Sequence, residues 1–375
     1  MTTTATAKSR LLTALRLVPA ALLLAGVLHG TPSVGATGCH TPASQILVNG
    51  GTSRNTTTLT ATANGGQALS NAKGGDDNLA IGLLGQANAG TGGTADAKAN
   101  GGTITLGDIT SGNNTGNVLQ VGTPKLVCGT SSRLVVNGGT ARTETTVTLS
   151  AKGGTATANA NGGDDNLAVG LLGTAAAGTG GSAKSQANGG SIAVGDITSG
   201  GNTGNVIAVG GGSGSLDVTG GTSSNETNID LNANGGTATA NANGGDDNTA
   251  VGIGGNAAAG NGGNASSEAN GGTIEVGDIN SGGNVGNVIA VGSGSGGGQI
   301  EGGTSSNETT IDLSANGGTA EANATGGDDN TAGALGGTAE AGNGGTASSE
   351  ANGGSIEIGE VNSGNNTGNV IEVGN

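Results

Sequence analysis

The sequence predicts an all-β protein, built as a repetitive, Gly/Ala-rich β-solenoid-like array. The first observation is an internal repeat, because the segment GGDDN occurs four times, beginning at Gly74, Gly162, Gly244 and Gly326. Self-similarity at a long period is typical of repeat architectures. The second observation is a strand-like alternation of polar and apolar residues within each repeat. The third is composition, since 84 of the 375 residues are glycine and none is Phe, Trp or Tyr. The predicted core is therefore thin.

Two other arrangements are consistent with the same patterns. Asn-Gly turns favour hairpins, which would give antiparallel β-meander or sandwich repeats. High glycine content without aromatic residues is also typical of partly disordered chains. We favour the solenoid because inward positions repeat in kind between successive strand-plus-turn units of about 8 to 12 residues. Small inward residues also suit closely spaced sheets.

The first 36 residues have the order of a secretory signal peptide. Three basic residues precede an apolar run over 17–28, and the small residues 34–36 follow. This order predicts cleavage after residue 36 and export to the extracellular space or cell surface. Residues 37–45 are expected to form a linker. No second hydrophobic segment follows, so we expect no integral membrane segment in the mature chain.

The four repeats are expected to cover residues 46–133, 134–215, 216–299 and 300–375. Within them the polar–apolar period is two residues, which is the period of a strand with one buried face. The segment 155–160, for example, alternates Thr or Asn with Ala. Its three alanines are therefore predicted to face the core.

The charge is strongly negative and uneven. The full chain has a formal net charge of −16, and removal of residues 1–36 leaves 8 basic and 27 acidic residues, or −19. From residue 216 onward there are 19 acidic residues and no Lys or Arg. Such a surface repels nucleic acid and anionic lipid, so neither is an expected partner.

The two cysteines, Cys39 and Cys128, flank the first repeat. An exported chain is able to form a disulfide between them. Two unpaired thiols, or pairing between molecules, are equally compatible with the sequence.

The GGDDN segments resemble part of the glycine- and aspartate-rich calcium repeats of RTX proteins. That resemblance implies possible calcium binding, since calcium prefers clustered carboxylate and carbonyl oxygens. The alternative is that the aspartates only start turns. The candidate calcium ligands are Asp76, Asp77, Asp164, Asp165, Asp246, Asp247, Asp328 and Asp329.

A second recurring phrase contains Gly195-Asp196, with acidic equivalents at Asp108, Asp278 and Glu360. It interrupts the alternation of Ile192, Val194 and Ile197, which predicts a bulge or bend. The change from Asp to Glu at position 360 indicates a structural rather than a ligand-binding role.

The residues required for catalysis are scarce, since His40 is the single histidine after residue 36 and there is no Tyr. We therefore expect a secreted, non-enzymatic structural or surface repeat protein, such as a rod, spacer, matrix or filament component. The first alternative is a calcium-stabilised adhesin; otherwise no cofactor is expected. A further alternative is an ice-binding protein, for which threonines of 145–148 and 237–239 would lie on the outer face. Expected partners are cell-surface or matrix components or further copies of the chain, because the C-terminal strand lacks an evident cap.

Overall fold

A computed structural model of the protein describes residues 45–121, 133–209, 215–291, 298–364 and 366–373. All regular structure in these ranges is β-strand, and no helix is present in them. The predicted signal peptide, residues 37–44 of the linker, and both Cys39 and Cys128 lie outside the described residues.

The chain makes four circuits, which we call rungs 1 to 4. Rung 1 contains β1 (Gln45–Asn49), β2 (Thr52–Ala63), β3 (Gln67–Lys73), β4 (Leu79–Leu83), β5 (Ala87–Thr91), β6 (Thr94–Ala99), β7 (Thr103–Leu106), β8 (Ile109–Thr110) and β9 (Thr115–Val121). Rung 2 contains β10 (Arg133–Asn137), β11 (Thr140–Ala151), β12 (Thr155–Asn161), β13 (Leu167–Leu171), β14 (Ala175–Thr179), β15 (Ser182–Ala187), β16 (Ser191–Val194), β17 (Ile197–Thr198) and β18 (Thr203–Val209).

The last two circuits repeat the same order. Rung 3 contains β19 (Ser215–Thr219), β20 (Thr222–Ala233), β21 (Thr237–Asn243), β22 (Thr249–Ile253), β23 (Ala257–Ala259), β24 (Asn264–Ala269), β25 (Thr273–Val276), β26 (Ile279–Asn280) and β27 (Val285–Val291). Rung 4 contains β28 (Gly298–Glu301), β29 (Thr304–Ala315), β30 (Thr319–Thr325), β31 (Thr331–Leu335), β32 (Ala339–Ala341), β33 (Thr346–Ala351), β34 (Ser355–Ile358), β35 (Val361–Asn362) and β36 (Thr367–Val373).

Nine sheets, named A to I after strands β1 to β9, run through the rungs, and each contains one strand from every rung. Every described pairing is parallel and joins equivalent positions of adjacent rungs, so that Asn159 lies between Asn71 and Asn241. Equivalent residues are 88 positions apart between rungs 1 and 2, and 82 apart between later rungs. The predicted β-solenoid-like array is thus confirmed, and the antiparallel alternative is wrong.

The length of one coil differs from the sequence prediction. Units of about 8 to 12 residues were expected to wind successively around the axis, whereas one coil contains nine strands. Parallel strands need a long crossover connection, and the other eight strands of a rung supply it. The short glycine turns bend the chain within one rung and do not carry it to the next.

The core lies between sheets formed by earlier strands of each rung and sheets formed by later strands of the same rung. Sheet C packs on sheet F through alanines, including Ala156, Ala158 and Ala160, each fully buried. Sheet B packs on sheets G and H through larger residues such as Leu149 and Ile192. Sheet D packs on sheet E, again through alanines. The expected inward alanines are confirmed.

The Gly195-Asp196 phrase separates two strands. It lies between β16 and β17, and Val194 and Ile197 on either side are both buried. The two intervening residues therefore make a bend that keeps both flanking side chains inside.

Candidate functional site

The GGDDN turns connect sheet C to sheet D in every rung. Their second aspartates lie in the left-handed region of the backbone, with φ of 52° at Asp77, 55° at Asp165, 53° at Asp247 and 52° at Asp329. Asp tolerates this conformation better than most residues because its short side chain bonds locally to the backbone. The predicted role of these residues in turns agrees with this geometry.

The first aspartates of the turns in rungs 1 to 3 each accept a hydrogen bond from the next rung. The backbone N–H of Asp164 donates to a carboxylate oxygen of Asp76 at 3.0 Å, and that of Asp246 donates to Asp164 at 3.0 Å. Asp328 repeats the contact on Asp246 at 2.7 Å. A turn exposes backbone donors that have no ladder partner, and a carboxylate is a strong acceptor for them. These three carboxylates therefore hold adjacent turns together.

The asparagine that ends the turn forms a second ladder in the opposite direction. Both the backbone N–H and the side-chain amide of Asn78 donate to Oδ1 of Asn166, each at 2.9 Å. Asn166 donates in the same way to Asn248, at 3.0 and 2.9 Å. Both of these acceptors are buried. Each turn is thus bonded to its neighbour by side chains pointing both ways along the stack.

Among the described residues, the basic partner of these turns is Lys73, which precedes the first turn and contacts the first aspartates of the first two. Nζ of Lys73 lies 2.9 Å from Asp76 and 3.1 Å from Asp164. The hydrogen bond from the Asp164 backbone, and then Lys73, hold the pKa of Asp76 below its usual value. The positions stacked on Lys73 in rungs 2 to 4 are Asn161, Asn243 and Thr325. Those rungs therefore lack the compensating cation at this position.

Asp247 lies in the middle of a column of second aspartates. Its pKa is raised, first by partial loss of hydration beside the turn, although the side chain is largely exposed, and then by nearby carboxylates. The largest repulsions come from Asp165 and Asp329 on the adjacent rungs. The column of second aspartates is therefore an electrostatically unfavourable feature of the stack.

The structure places all eight candidate calcium ligands in the GGDDN turns. Within the described ranges, no group of three or more Asp, Glu, His or Cys side chains is placed to hold a metal ion. Three of the eight candidates, Asp76, Asp164 and Asp246, already accept backbone hydrogen bonds from the rung above. Calcium binding at the eight aspartates stays a prediction.

The bend that contains Asp196 forms another carboxylate ladder. The backbone N–H of Asp196 donates to Asp108 at 3.1 Å, that of Asp278 to Asp196 at 2.9 Å, and that of Glu360 to Asp278 at 2.7 Å. In these bonds Glu360 supplies only its backbone N–H. A longer side chain is therefore compatible with that position in rung 4.

A buried polar network between the two layers was missed from the sequence. Hydroxyl pairs join Ser111 to Thr145 and Ser199 to Thr227, each linking one rung to the next. Thr143 also donates to Oδ1 of Asn202 at 2.7 Å. The expected outward placement of Thr145 is wrong, because this side chain is fully buried. The available signal was its strand parity, since Thr145 lies two and four residues before the inward Val147 and Leu149 and therefore on the same face of the strand.

The outer face of sheet D has several exposed large apolar side chains. Leu79, Ile81 and Leu83 of rung 1 are 63%, 67% and 72% exposed, and Leu335 of rung 4 is 72% exposed. Clustered apolar exposure of this kind is characteristic of contact surfaces. We call this feature the sheet D apolar face.

Among the described residues, no helix has the length and apolarity required to cross a membrane. Comparison of the chain with family models, curated proteins and solved structures gives no match.

Proposed function

We propose that this chain is a secreted, non-enzymatic structural protein of the cell surface or extracellular matrix, serving as a rod, spacer or filament component. The observation that carries the proposal is the stacking itself, in which equivalent positions of adjacent rungs pair in register. Such a stack repeats one surface along its axis. In-register stacking with asparagine ladders is also the arrangement that stabilises cross-β assemblies.

The sequence supports the extracellular part of the proposal. Residues 1–36 have the order of a signal peptide, and the remaining chain has a charge of −19 from 8 basic and 27 acidic residues. A high net charge keeps extended assemblies hydrated and limits nonspecific association. The same charge disfavours nucleic acid and anionic lipid as partners.

The non-enzymatic part rests on how the carboxylates are used. The first aspartates of the GGDDN turns, and the aspartates of the bends, bond to backbone N–H groups of neighbouring rungs. Carboxylates committed to the backbone in this way contribute stability to the stack. After residue 36 the sequence offers one histidine, His40, and no tyrosine as further acid–base groups.

A calcium-stabilised adhesin is the second candidate, and one observation favours it. Asp247 has a raised pKa and lies near other carboxylates that repel it, and a divalent cation would relieve this repulsion. An ice-binding role has less support, because the outer threonine columns are interrupted. Thr146 stacks on Asn228, and Thr148 stacks on Asp230.

Localisation in the native cells tests the proposal. We expect protease treatment of intact cells to remove the protein, and its mature N-terminus to lie near Thr37. Deletion of the gene should reduce the insoluble extracellular material. Retention of the protein inside the cell with residues 1–36 intact would contradict export. Release from cells by a calcium chelator, but not by sodium chloride, would favour the adhesin.

A further inference from the structure

The two end rungs leave the stack open. In the described part of the chain, rungs 1 and 4 form the two edges of all nine sheets. Edge strands present unpaired backbone groups that act as templates for another chain. Four rungs spaced about 4.8 Å apart extend only about 20 Å along the axis, which is less than the roughly 40 Å of one twelve-residue strand. A rod therefore requires further rungs.

The end rungs match each other in length and register. The strands of sheet B have 12 residues in every rung, and those of sheet C have 7. Sheets D, F and G also keep one strand length throughout. Rung 4 thus presents to a new rung the same strand spacing that rung 3 presents to rung 4.

Glycines of rung 4 lie at positions where the other rungs are covered by a neighbour. A Cβ on Gly101, Gly189 or Gly271 would lie 1.9, 2.1 or 2.2 Å from a carbonyl oxygen of the rung above, so glycine is required there. Their equivalent in rung 4 is Gly353, where a Cβ would meet nothing within 4 Å. Gly344 is equally open, although its equivalents in rungs 1 to 3 are covered.

The opposite end shows the same relation in reverse. A Cβ on Gly173, Gly255 or Gly337 would lie 1.7, 1.9 or 2.1 Å from a carbonyl oxygen of the rung below. Gly85, their equivalent in rung 1, has nothing within 4 Å. Both end rungs therefore have the glycines that a covering rung requires, at positions that none of the described residues covers.

The side-chain ladders end in complementary groups. Asn159 donates its amide to Asn71, and Asn323 donates to Asn241, so the donors point toward rung 1. Among the described bonds, the amide of Asn71 has no acceptor below it, and Oδ1 of Asn323 has no donor above it. One more rung placed on rung 4, with the sequence of rung 1, would continue this ladder.

The charges of the end rungs favour contact between rung 4 of one molecule and rung 1 of another. Rung 4 has eleven acidic residues and no Lys or Arg, whereas rung 1 has four acidic and three basic residues, Arg54, Lys73 and Lys98. The column of Lys98 continues through Gln186 and Glu268 to Glu350. Rung 4 stacked on rung 1 would place Glu350 next to Lys98, while two copies of rung 4 would repel each other.

We propose that the chain binds a second copy of itself end to end, with rung 4 of one molecule pairing in parallel and in register with rung 1 of the next. The inference rests on the proposed structural role and gives it a mechanism of elongation. Each junction adds nine strand pairings and continues the asparagine and aspartate ladders.

Glycine substitutions test the junction with the full chain. Gly344→Ala with Gly353→Ala adds methyl groups that the free chain accommodates but that overlap the backbone of a covering rung. We expect association, measured by analytical ultracentrifugation, to weaken at least about tenfold. Gly333→Ala is the matched control. Its position is also open, but it stacks on Val251 and therefore accepts a side chain within the stack.

A mixing experiment tests polarity. Gly85→Ala with Gly107→Ala blocks rung 1, because both positions are open there while their equivalents are covered. Each blocked variant alone should be monomeric, with an unchanged far-UV circular dichroism spectrum. Mixed together, they should form a one-to-one dimer and no longer species, because one open rung 4 meets one open rung 1.

Charge reversal gives a test that adds no bulk at the junction. Glu350→Lys should weaken association about two- to fivefold, and the double variant with Lys98→Glu should restore it. A wild-type chain that stays monomeric at all concentrations would overturn the inference, even if the protein is found on the cell surface. Association unaffected by the rung 4 glycine variants, or homodimers in place of the mixed dimer, would overturn it as well.

Discussion

A carboxylate oxygen of Asp164 accepts a hydrogen bond from the backbone N–H of Asp246 at 3.0 Å, and these two residues are 82 positions apart in the chain. The same relation joins Asp76 to Asp164 and Asp246 to Asp328. Aspartates whose sequence context made them candidate calcium ligands thus accept hydrogen bonds from backbone N–H groups of the next rung. The predictions below separate that role from ion binding and from simple repulsion.

The first prediction concerns the acceptor at position 164. Asp164→Asn retains an oxygen that accepts the Asp246 N–H, whereas Asp164→Ala leaves that donor without its partner. We expect the alanine variant to lose about 1 to 2 kcal/mol of unfolding free energy and the asparagine variant to lose much less. Denaturant titration followed by circular dichroism measures both. Equal destabilisation by the two variants would indicate that the charge, and not the acceptor, is required.

The second prediction concerns pH. Asp247 has a pKa raised above its usual value of 3.8, so the folded state binds its proton more tightly than the unfolded state does. Its contribution to stability therefore falls as pH rises through the window above 3.8, and it stays unfavourable at neutral pH. Asp247→Asn should raise the melting temperature at pH 7. The gain should disappear near pH 3, where the wild-type carboxyl is also neutral.

The third prediction concerns the packing of the asparagine ladder. Gly178 has a φ of 60°, and a Cβ there would lie 2.0 Å from Nδ2 of Asn248, which is fully buried. Gly178→Ala combines backbone strain with overlap, so it should cost about 2 kcal/mol or more. Thermal unfolding measures the loss, with Gly333→Ala as the control at an open position. Wild-type stability in Gly178→Ala would show that the ladder adjusts freely.

The fourth prediction concerns cations. Rungs 3 and 4 contain no Lys or Arg, so their carboxylates repel one another, and salt should relieve this repulsion. We expect sodium chloride to raise the melting temperature of the full chain as much as calcium chloride at matched ionic strength, because general screening operates within about 10 Å at 0.1 M salt.

A specific calcium site would give the opposite outcome. Calcium would then stabilise the chain more than sodium does, and Asp246→Asn with Asp328→Asn would remove the difference. Micromolar calcium binding by calorimetry, lost in that double variant, would identify the turns as sites.

The sequence by itself determined that the alanines of the alternating segments face inward. Ala156, Ala158 and Ala160 alternate with Thr or Asn and are buried. This prediction depends only on the pleat of one strand, which sends successive side chains to opposite faces. The turns were also predictable from local sequence, because Gly, Asn and Asp tolerate the backbone conformations that turns require.

Only the tertiary structure decided where each strand pairs and which face it packs on. The local sequence of a glycine turn does not show whether the next strand belongs to the same rung or to the following one. The number of strands per coil could therefore not be predicted from the sequence. The hydrogen-bond partner of the buried Thr145 hydroxyl was not readable either, because Ser111 comes from the preceding rung. The two directions of the Asp164 and Asn166 ladders also depend on neighbours 82 or more residues away. Contacts between such distant residues arise only when the stack forms, because each rung supplies the acceptors and donors that the next rung uses.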